Sequence, residues 1–423
     1  MAEQVMPRRM EAVLNDLLLD EPVVAVHGPR SVGKSTLLRR VAVAHQVGIV
    51  DLDDPVERDA AAANPNLTMS SARPVCVDEY QHVPVVLEAL KARLNREGAI
   101  PGTAVLTGST RQDALPLTAQ ALTGRLSNVA LWPLSQGEIN GTHEDFLERM
   151  LMVPDATVAA LPNSDTVREE YVRRVCEGGF PMAISRSSKQ SRDRWFDTYV
   201  RLSLARDAAE LTKVRQRQVL FDIFSRLAAH TGQVLNISRI ANELDVSWAT
   251  AESHLRLLED LFLVARLPAW GKTLAARVTG TPKVHIVDSG LAARQMRVSP
   301  AKLAAGDPSS LTEFGHLVET FVVGELRKQA SWLPEPVTLG HWRTADDIEV
   351  DLVVERDDGK VVAFEVKTSE RVSARDFTGL RTLRDRLGDR FLGGAVLAMG
   401  SRSYTYADRL HVMPTDRLWR TVG

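Results

Sequence analysis

The sequence predicts an α/β protein: a parallel sheet with a phosphate-binding loop, then a helical segment, a winged helix-turn-helix and a second α/β domain. Three observations carry this prediction. Short apolar strands alternate with helical segments over the first third of the chain, the pattern of a parallel sheet covered on both faces. The first of those strands runs into Gly28-Pro29-Arg30-Ser31-Val32-Gly33-Lys34-Ser35, a fit to Gly-x-x-x-x-Gly-Lys-Ser. Near the other end, two strands joined by Asp357-Asp358-Gly359-Lys360 carry acids and a lysine at alternating positions.

Residues 10–19 read as a short amphipathic helix packed before the first strand, Val23-Val24-Ala25-Val26. In the loop that follows, through Thr36, backbone N–H groups and the helix opening at Leu37 make a site for polyanionic phosphate. Gly28 and Gly33 allow dihedrals and close approaches that a side chain blocks. Lys34 is expected on the β- and γ-phosphates of ATP, and the Ser35 hydroxyl on Mg²⁺. Further strands are expected over 48–53, 74–79, 103–109 and 128–132, with helices between them such as 85–95.

Asp78-Glu79 ends the third strand as a Walker B pair, at the sheet edge where ligands collect. Asp78 is expected to hold Mg²⁺ and Glu79 to orient the attacking water; an acidic strand end leading into a turn is the alternative. Ser109 ends the next strand, placed to sense the γ-phosphate or simply to cap a helix. Arg125 stands just before the fifth strand. It is a candidate for stabilising transferred charge, in its own chain or in a neighbouring subunit, with a surface ion pair as the alternative.

Residues 168–176 and 195–211 have helical periodicity broken by Gly178-Gly179-Phe180-Pro181, which suits a helical lid and linker. The arginines there (Arg186, Arg192, Arg194, Arg201, Arg206) suit either phosphate contact or a solvated face. Helices over 219–232, 238–244 and from Ser247 to about 260, then an apolar strand over 262–267, describe a winged helix-turn-helix. Its third helix presents Thr250, Ser253 and Arg256 outward, toward DNA or a protein.

Glu319 lies in an amphipathic helix over 314–329. Strands over 346–355 and 361–367 form a hairpin through Asp-Gly turn chemistry. Glu365 and Lys367 are two apart and share a face, and Asp351 can join them across the hairpin. Such a set binds Mg²⁺ or Mn²⁺ and poises a water for attack on a phosphodiester, with Glu319 adding a carboxylate. A polar hairpin face, or a nuclease fold kept for binding after its chemistry was lost, are the alternatives.

With 44% hydrophobic and 25% charged residues, the composition is that of a globular protein. A net charge of −2 gives no global field for nucleic acid, so any such contact must come from local arginine-rich faces. No apolar run is long enough to span a bilayer, and Cys76 and Cys176 cannot build a zinc site, so a cytoplasmic protein without membrane contact is expected.

The phosphate loop, Val77-Asp78-Glu79, Leu106-Thr107-Gly108-Ser109, Gly124-Arg125 running into Trp132-Pro133-Leu134-Ser135, and Gly178-Gly179-Phe180-Pro181 together resemble the archaeal-type AAA+ ATPase family. The resemblance implies a C-terminal region with a winged helix and a restriction-endonuclease-like fold, and a ring-like homo-oligomer that completes hydrolysis at subunit boundaries. Asp351, Glu365 and Lys367 likewise resemble the Asp…Glu-x-Lys core of such nucleases. The expected layout is an AAA+-like core over 1–145, a helical lid over 146–215, a winged helix over 216–290 and a nuclease-like domain over 291–423. The expected activity is ATP-dependent processing of DNA by a coupled motor and metal-dependent nuclease. The alternative is an ATP-driven switch or signalling ATPase whose nuclease fold is catalytically silent.

Overall fold

The computed structural model describes residues 6–111, 122–160, 163–207, 217–271 and 280–421. The chain packs as two compact units, the first drawn from residues 1–133, 200–215 and 256–263, the second from 134–199, 216–255 and 264–423.

The first unit is a parallel sheet of β1 (Val23–His27), β2 (Ile49–Asp51), β3 (Val75–Asp78), β4 (Ala104–Gly108) and β5 (Leu126–Ala130), in the order β2-β3-β4-β1-β5. Every residue of β1, β3 and β4 is buried, which is why these strands read as unbroken apolar runs. Val23, Ala25, Val75, Val77 and Leu106 pack with Leu87, Leu90 and Leu94 of the helix Val85–Glu97 in one cluster. Each such buried side chain contributes roughly 1.5–3 kcal/mol of transfer free energy. β5 begins at Leu126 rather than at 128, because Leu126 lies level with Val23 in the register. Since all five strands run the same way, His27, Asp78 and Gly108 finish at one edge of the sheet.

In the second unit, the helices Arg217–Ala229 and Ile237–Glu243, with residues 248–255 of the helix Trp248–Asp260, accompany a small antiparallel sheet. Its strands are β6 (Gln233–Val234), β7 (Val264–Leu267) and β8 (Lys283–Ile286), with β8 in the middle. A larger mixed sheet follows: β9 (Val337–Arg343), β10 (Glu349–Arg356), β11 (Val361–Val366), β12 (Phe391–Ala398), β13 (Tyr404–Ala407) and β14 (Leu410–Pro414), in the order β13-β14-β12-β11-β10-β9. β10 and β11 form the expected antiparallel hairpin, and the helix Thr378–Leu387 covers one face through Leu380, Leu383 and Leu387. The long helix Pro308–Ala330 carries Glu319. Of the helix expected over 195–211, Lys189–Leu202 is present; 208–211 and the expected 215/216 boundary fall outside the described residues.

Gly178-Gly179 proves to be a packing lock. The buried Asp288 carboxylate accepts the Gly179 N–H at 2.6 Å and the Leu291 N–H at 2.8 Å. A Cβ on Gly178, whose φ is +69°, would overlap that carboxylate, and a Cβ on Gly290 would lie 2.6 Å from the Glu177 carbonyl. Gly178 and Gly290 are therefore required by close approach beside the buried Asp288.

Candidate functional site

The loop after β1 turns on two left-handed residues, Ser31 (φ 62°) and Gly33 (φ 100°), before the helix Lys34–His45 begins. A Cβ on Gly28 would overlap the Leu131 carbonyl oxygen, so only glycine lets the loop pass the end of β5. Arg8 ties the loop from behind, donating to Val32 O and Trp132 O at 2.6 Å each. Lys34, 4% exposed, donates to the carbonyls of Gly28 and Pro29 at 3.0 Å each and stands 3.6 Å from a Glu79 oxygen. Burial depresses its ammonium below the ordinary lysine value, against the pull of Glu79 and Asp78.

Asp78 and Glu79 leave β3 beside this loop, both buried. Burial raises the Asp78 carboxyl, opposed by hydrogen bonds from the Ser35 and Thr107 side chains. Glu79 is in the left-handed region (φ 51°), a conformation that non-glycine residues keep when the surroundings hold them there. Its carboxylate accepts from Gln81 and from the Ser109 N–H at 3.2 Å, and Gln81 also donates to Ser109 Oγ at 3.1 Å. Burial works against its charge, but Lys34, Gln81 and Ser109 outweigh it and hold the carboxyl below its usual value. His27, bonded to the Tyr80 hydroxyl at 2.8 Å, is pushed down to about 4 by burial and then by Lys34.

The structure thus brings together the loop, Lys34, Ser35, Asp78, Glu79 and Ser109. The paired hydroxyl of Ser35 and carboxylate of Asp78 are hard oxygen donors of the kind that fit Mg²⁺ beside phosphates. Arg125 is not part of this group. Leu126 pairs with Val23, at the edge of the sheet opposite the loop, roughly 13–17 Å away along the strand. Its guanidinium instead meets Asn95 Oδ1 at 2.5 Å. Service to the site of its own chain is corrected on that ground. Thr107, within the motif that ends at Ser109, joins the site by bonding Asp78, while Arg8, Gln81 and His27 belong to the neighbourhood and carry no motif that marks them in the sequence.

A second cluster lies in the second unit. Leu352 pairs with Phe364, so Asp351 and Glu365 are the next pair along the hairpin and share its face. Asp351 Oδ2 accepts the Val366 N–H at 2.9 Å, and Lys367 donates to Glu365 at 2.6 Å. Burial, then the Asp351 charge, push the Glu365 carboxyl up to about 8.

Lys283 enters this cluster from β8. Its ammonium donates to Glu319 at 2.7 Å and to Asp351 at 3.1 Å, and pairs with Glu349 as well. Burial disfavours the charge, yet Asp351, Glu319 and Glu349 together hold Lys283 above the ordinary lysine value. The metal site expected from Glu319, Asp351 and Glu365 therefore does not fit: an ammonium already takes the oxygens of Glu319 and Asp351. Among the described residues no group of three or more His, Cys, Asp or Glu side chains is set to hold a metal ion.

With this geometry in hand, residues 20–140 match a family model described as an AAA domain, 168–302 a domain of unknown function (DUF8612) and 314–418 another (DUF4143). The chain is 27% identical over 416 residues to an uncharacterized protein of Mycobacterium tuberculosis, covering 98% of this chain and 85% of the relative. Among solved structures, it is similar to a Walker-type ATPase of Pyrococcus abyssi (17% identity, 70% of this chain and 97% of that one, TM-score 0.44). It is also similar to the RuvB Holliday junction branch migration motor of Thermotoga maritima (18%, 62% and 90%, TM-score 0.31). The match over 20–140 supports an AAA-type ATPase domain with a nucleotide site in the first unit.

Proposed function

We propose that the chain hydrolyses ATP at the loop of the first unit, and that ATP sets the state of a nucleic-acid-facing second unit whose nuclease-like fold is chemically silent. One observation carries the ATPase reading: Lys34, Ser35, Asp78, Glu79 and Ser109 converge at the C-terminal edge of one parallel sheet. Lys34 exchanges the Gly28 and Pro29 carbonyls for phosphate oxygens, while Glu79, ionised and held by Gln81 and Ser109, orients the attacking water. Ser35 and Asp78 would hold Mg²⁺, which when bound would supply neutralisation of the charge on the phosphates.

For the second unit, three helices with a three-stranded sheet support a winged helix, and the part of the helix Trp248–Asp260 that belongs to this unit leaves Trp248 and Ser253 exposed, as DNA contact requires. A ring of copies is part of the proposal, and in it Arg125 faces a neighbour's site or none. The silence of the nuclease-like fold is supported by Lys283, which holds the carboxylates a metal needs. The rival reading, an active metal-dependent nuclease, has in its favour the shared face of Asp351, Glu365 and Lys367.

The test is phosphate release by the purified full chain, with and without single-stranded, duplex and four-way-junction DNA. Lys34→Ala is expected to abolish turnover; Glu79→Gln is expected to bind ATP and hydrolyse it at least about 100-fold more slowly. Turnover retained in Lys34→Ala overturns the ATPase assignment. Mn²⁺-dependent DNA cleavage by the wild type that disappears in Asp351→Asn establishes the rival.

A further inference from the structure

Lys283 opens β8, a strand of the small three-stranded sheet, yet its side chain is 3% exposed and ends among acids of other elements. Glu319 comes from the helix Pro308–Ala330; Glu349 and Asp351 come from β10, two apart and so on one face of that strand. Three carboxylates from two elements thus converge on one cation supplied by a third. Beside them, Glu365 Oε2 is buried with no hydrogen-bond partner among the described residues, and Lys367 bonds the other oxygen of Glu365. Four carboxyl groups from three elements thus face two ammonium groups in this cluster. Converging hard oxygens of this kind are the donor set of Mg²⁺ and Mn²⁺.

We propose that Lys283 is a built-in counter-ion that closes a divalent-cation site formed by Glu319, Glu349 and Asp351. The inference rests on the nuclease-like reading of these carboxylates and is independent of the ATPase. An ammonium tethered to a strand competes as an intramolecular ligand, at an effective concentration of about millimolar or above, without the cost of capture from solution. A metal ion must expel it and find it another place. Lysine also brings four methylenes into the same space, so water and metal are excluded together. Removal of the ammonium leaves three close carboxylates with no cation, and a dication becomes the species that best restores their balance.

The experiment is Mn²⁺ binding to the nucleotide-free full chain, read by loss of the free-ion electron paramagnetic resonance signal and by calorimetry. Four proteins are compared: wild type, Asp351→Asn, Lys283→Met, and Lys283→Met with Asp351→Asn. The wild type and Asp351→Asn are expected to bind Mn²⁺ alike. Lys283→Met is expected to gain one site at least 100-fold tighter, and the double variant to lose it. Lys283→Arg, which keeps the charge, is expected to remain closed. A wild-type Mn²⁺ site that Asp351→Asn removes overturns the proposal, and that comparison stands even if Lys283→Met fails to fold. So does a Lys283→Met protein with native circular dichroism that gains no site. A gained metal without DNA cleavage supports the closed cation site while counting against the nuclease-like reading, so the two failures are distinguishable.

Discussion

Gly28 and Gly33 are both glycines of the phosphate loop, but for different reasons, and their alanine variants are expected to fail to different degrees. At Gly28 a Cβ overlaps the Leu131 carbonyl oxygen and lies 3.1 Å from the carbonyl carbon, against an ordinary carbon–carbon separation of about 3.5 Å or more. Relief requires the loop or the end of β5 to back off by roughly 1 Å. The Leu131 N–H is bonded to His27 O at 2.7 Å, and Arg8 fastens both Val32 and Trp132, so neither side yields freely. Overpacking costs about 1–3 kcal/mol, and a strained or lost hydrogen bond adds about 1 kcal/mol. A loop displaced by about 1 Å is expected to reduce turnover by roughly 100-fold. At Gly33 the nearest atom to a new Cβ is Arg8 Nη1 at 3.8 Å, so space is free and the left-handed φ of 100° alone is costly, by about 1–2 kcal/mol. Gly33→Ala is therefore expected to weaken ATP binding by roughly 10-fold, and Gly28→Ala by more. Fluorescent-nucleotide titration and steady-state phosphate release on the full chain give the ranking. Wild-type ATP affinity in Gly28→Ala, or a worse defect in Gly33→Ala, refutes the steric reasoning.

Two further outcomes follow from buried groups. The His27 imidazole takes a proton near 6.5 in the unfolded chain and near 4 in the folded one. Its stabilising contribution is thus full above pH 6.5, is lost as pH falls, and is gone by about pH 4, a change of up to about 3 kcal/mol. Hydrogen exchange of the β1 amides between pH 7.5 and 4.5 is expected to show a smaller acid loss in His27→Gln than in the wild type; equal losses exclude a buried neutral imidazole as the cause. Asp288 uses both carboxylate oxygens, one on Gly179 and one on Leu291. Asp288→Asn turns an N–H₂ toward one of those donors and is expected to destabilise the second unit nearly as much as Asp288→Ala, by about 2–4 kcal/mol, in urea unfolding. A near-neutral Asp288→Asn contradicts the two-acceptor role.

Much of the first unit is legible because its signals are local. A strand, a loop and a helix within fourteen residues specify the phosphate site, and an apolar run ending in Asp78-Glu79 announces its partner strand. Arg125 shows how far such signals reach. A parallel sheet already argues against it: residues that precede a strand lie at the edge opposite those that follow one, and the loop follows β1. The pairing of Leu126 with Val23 turns that argument into a distance. Gly178-Gly179 is legible as a helix break, but its reason, an acid more than a hundred residues later in the chain, is not.

The hairpin was equally open to reading, since alternation and an Asp-Gly turn place Asp351, Glu365 and Lys367 on one face. What those residues do was not. Lys283 is 36 residues from Glu319 and 68 from Asp351, in a strand whose own pattern is that of a small sheet. No periodicity connects a lysine to an acid across such a gap, and an isolated lysine beside apolar residues reads as a solvent-facing side chain. Yet that one contact changes the chemistry of the cluster. With Lys283 elsewhere, Glu319, Glu349 and Asp351 are three hard-oxygen donors beside a lysine, the makings of a metal-dependent site. With Lys283 among them, the same residues form a buried ion network that is strongly destabilised when one member is removed. Motif residues therefore identify which side chains meet, while the identity of the cation between them decides whether the site cuts or holds. That cation can come from any element that tertiary packing brings near.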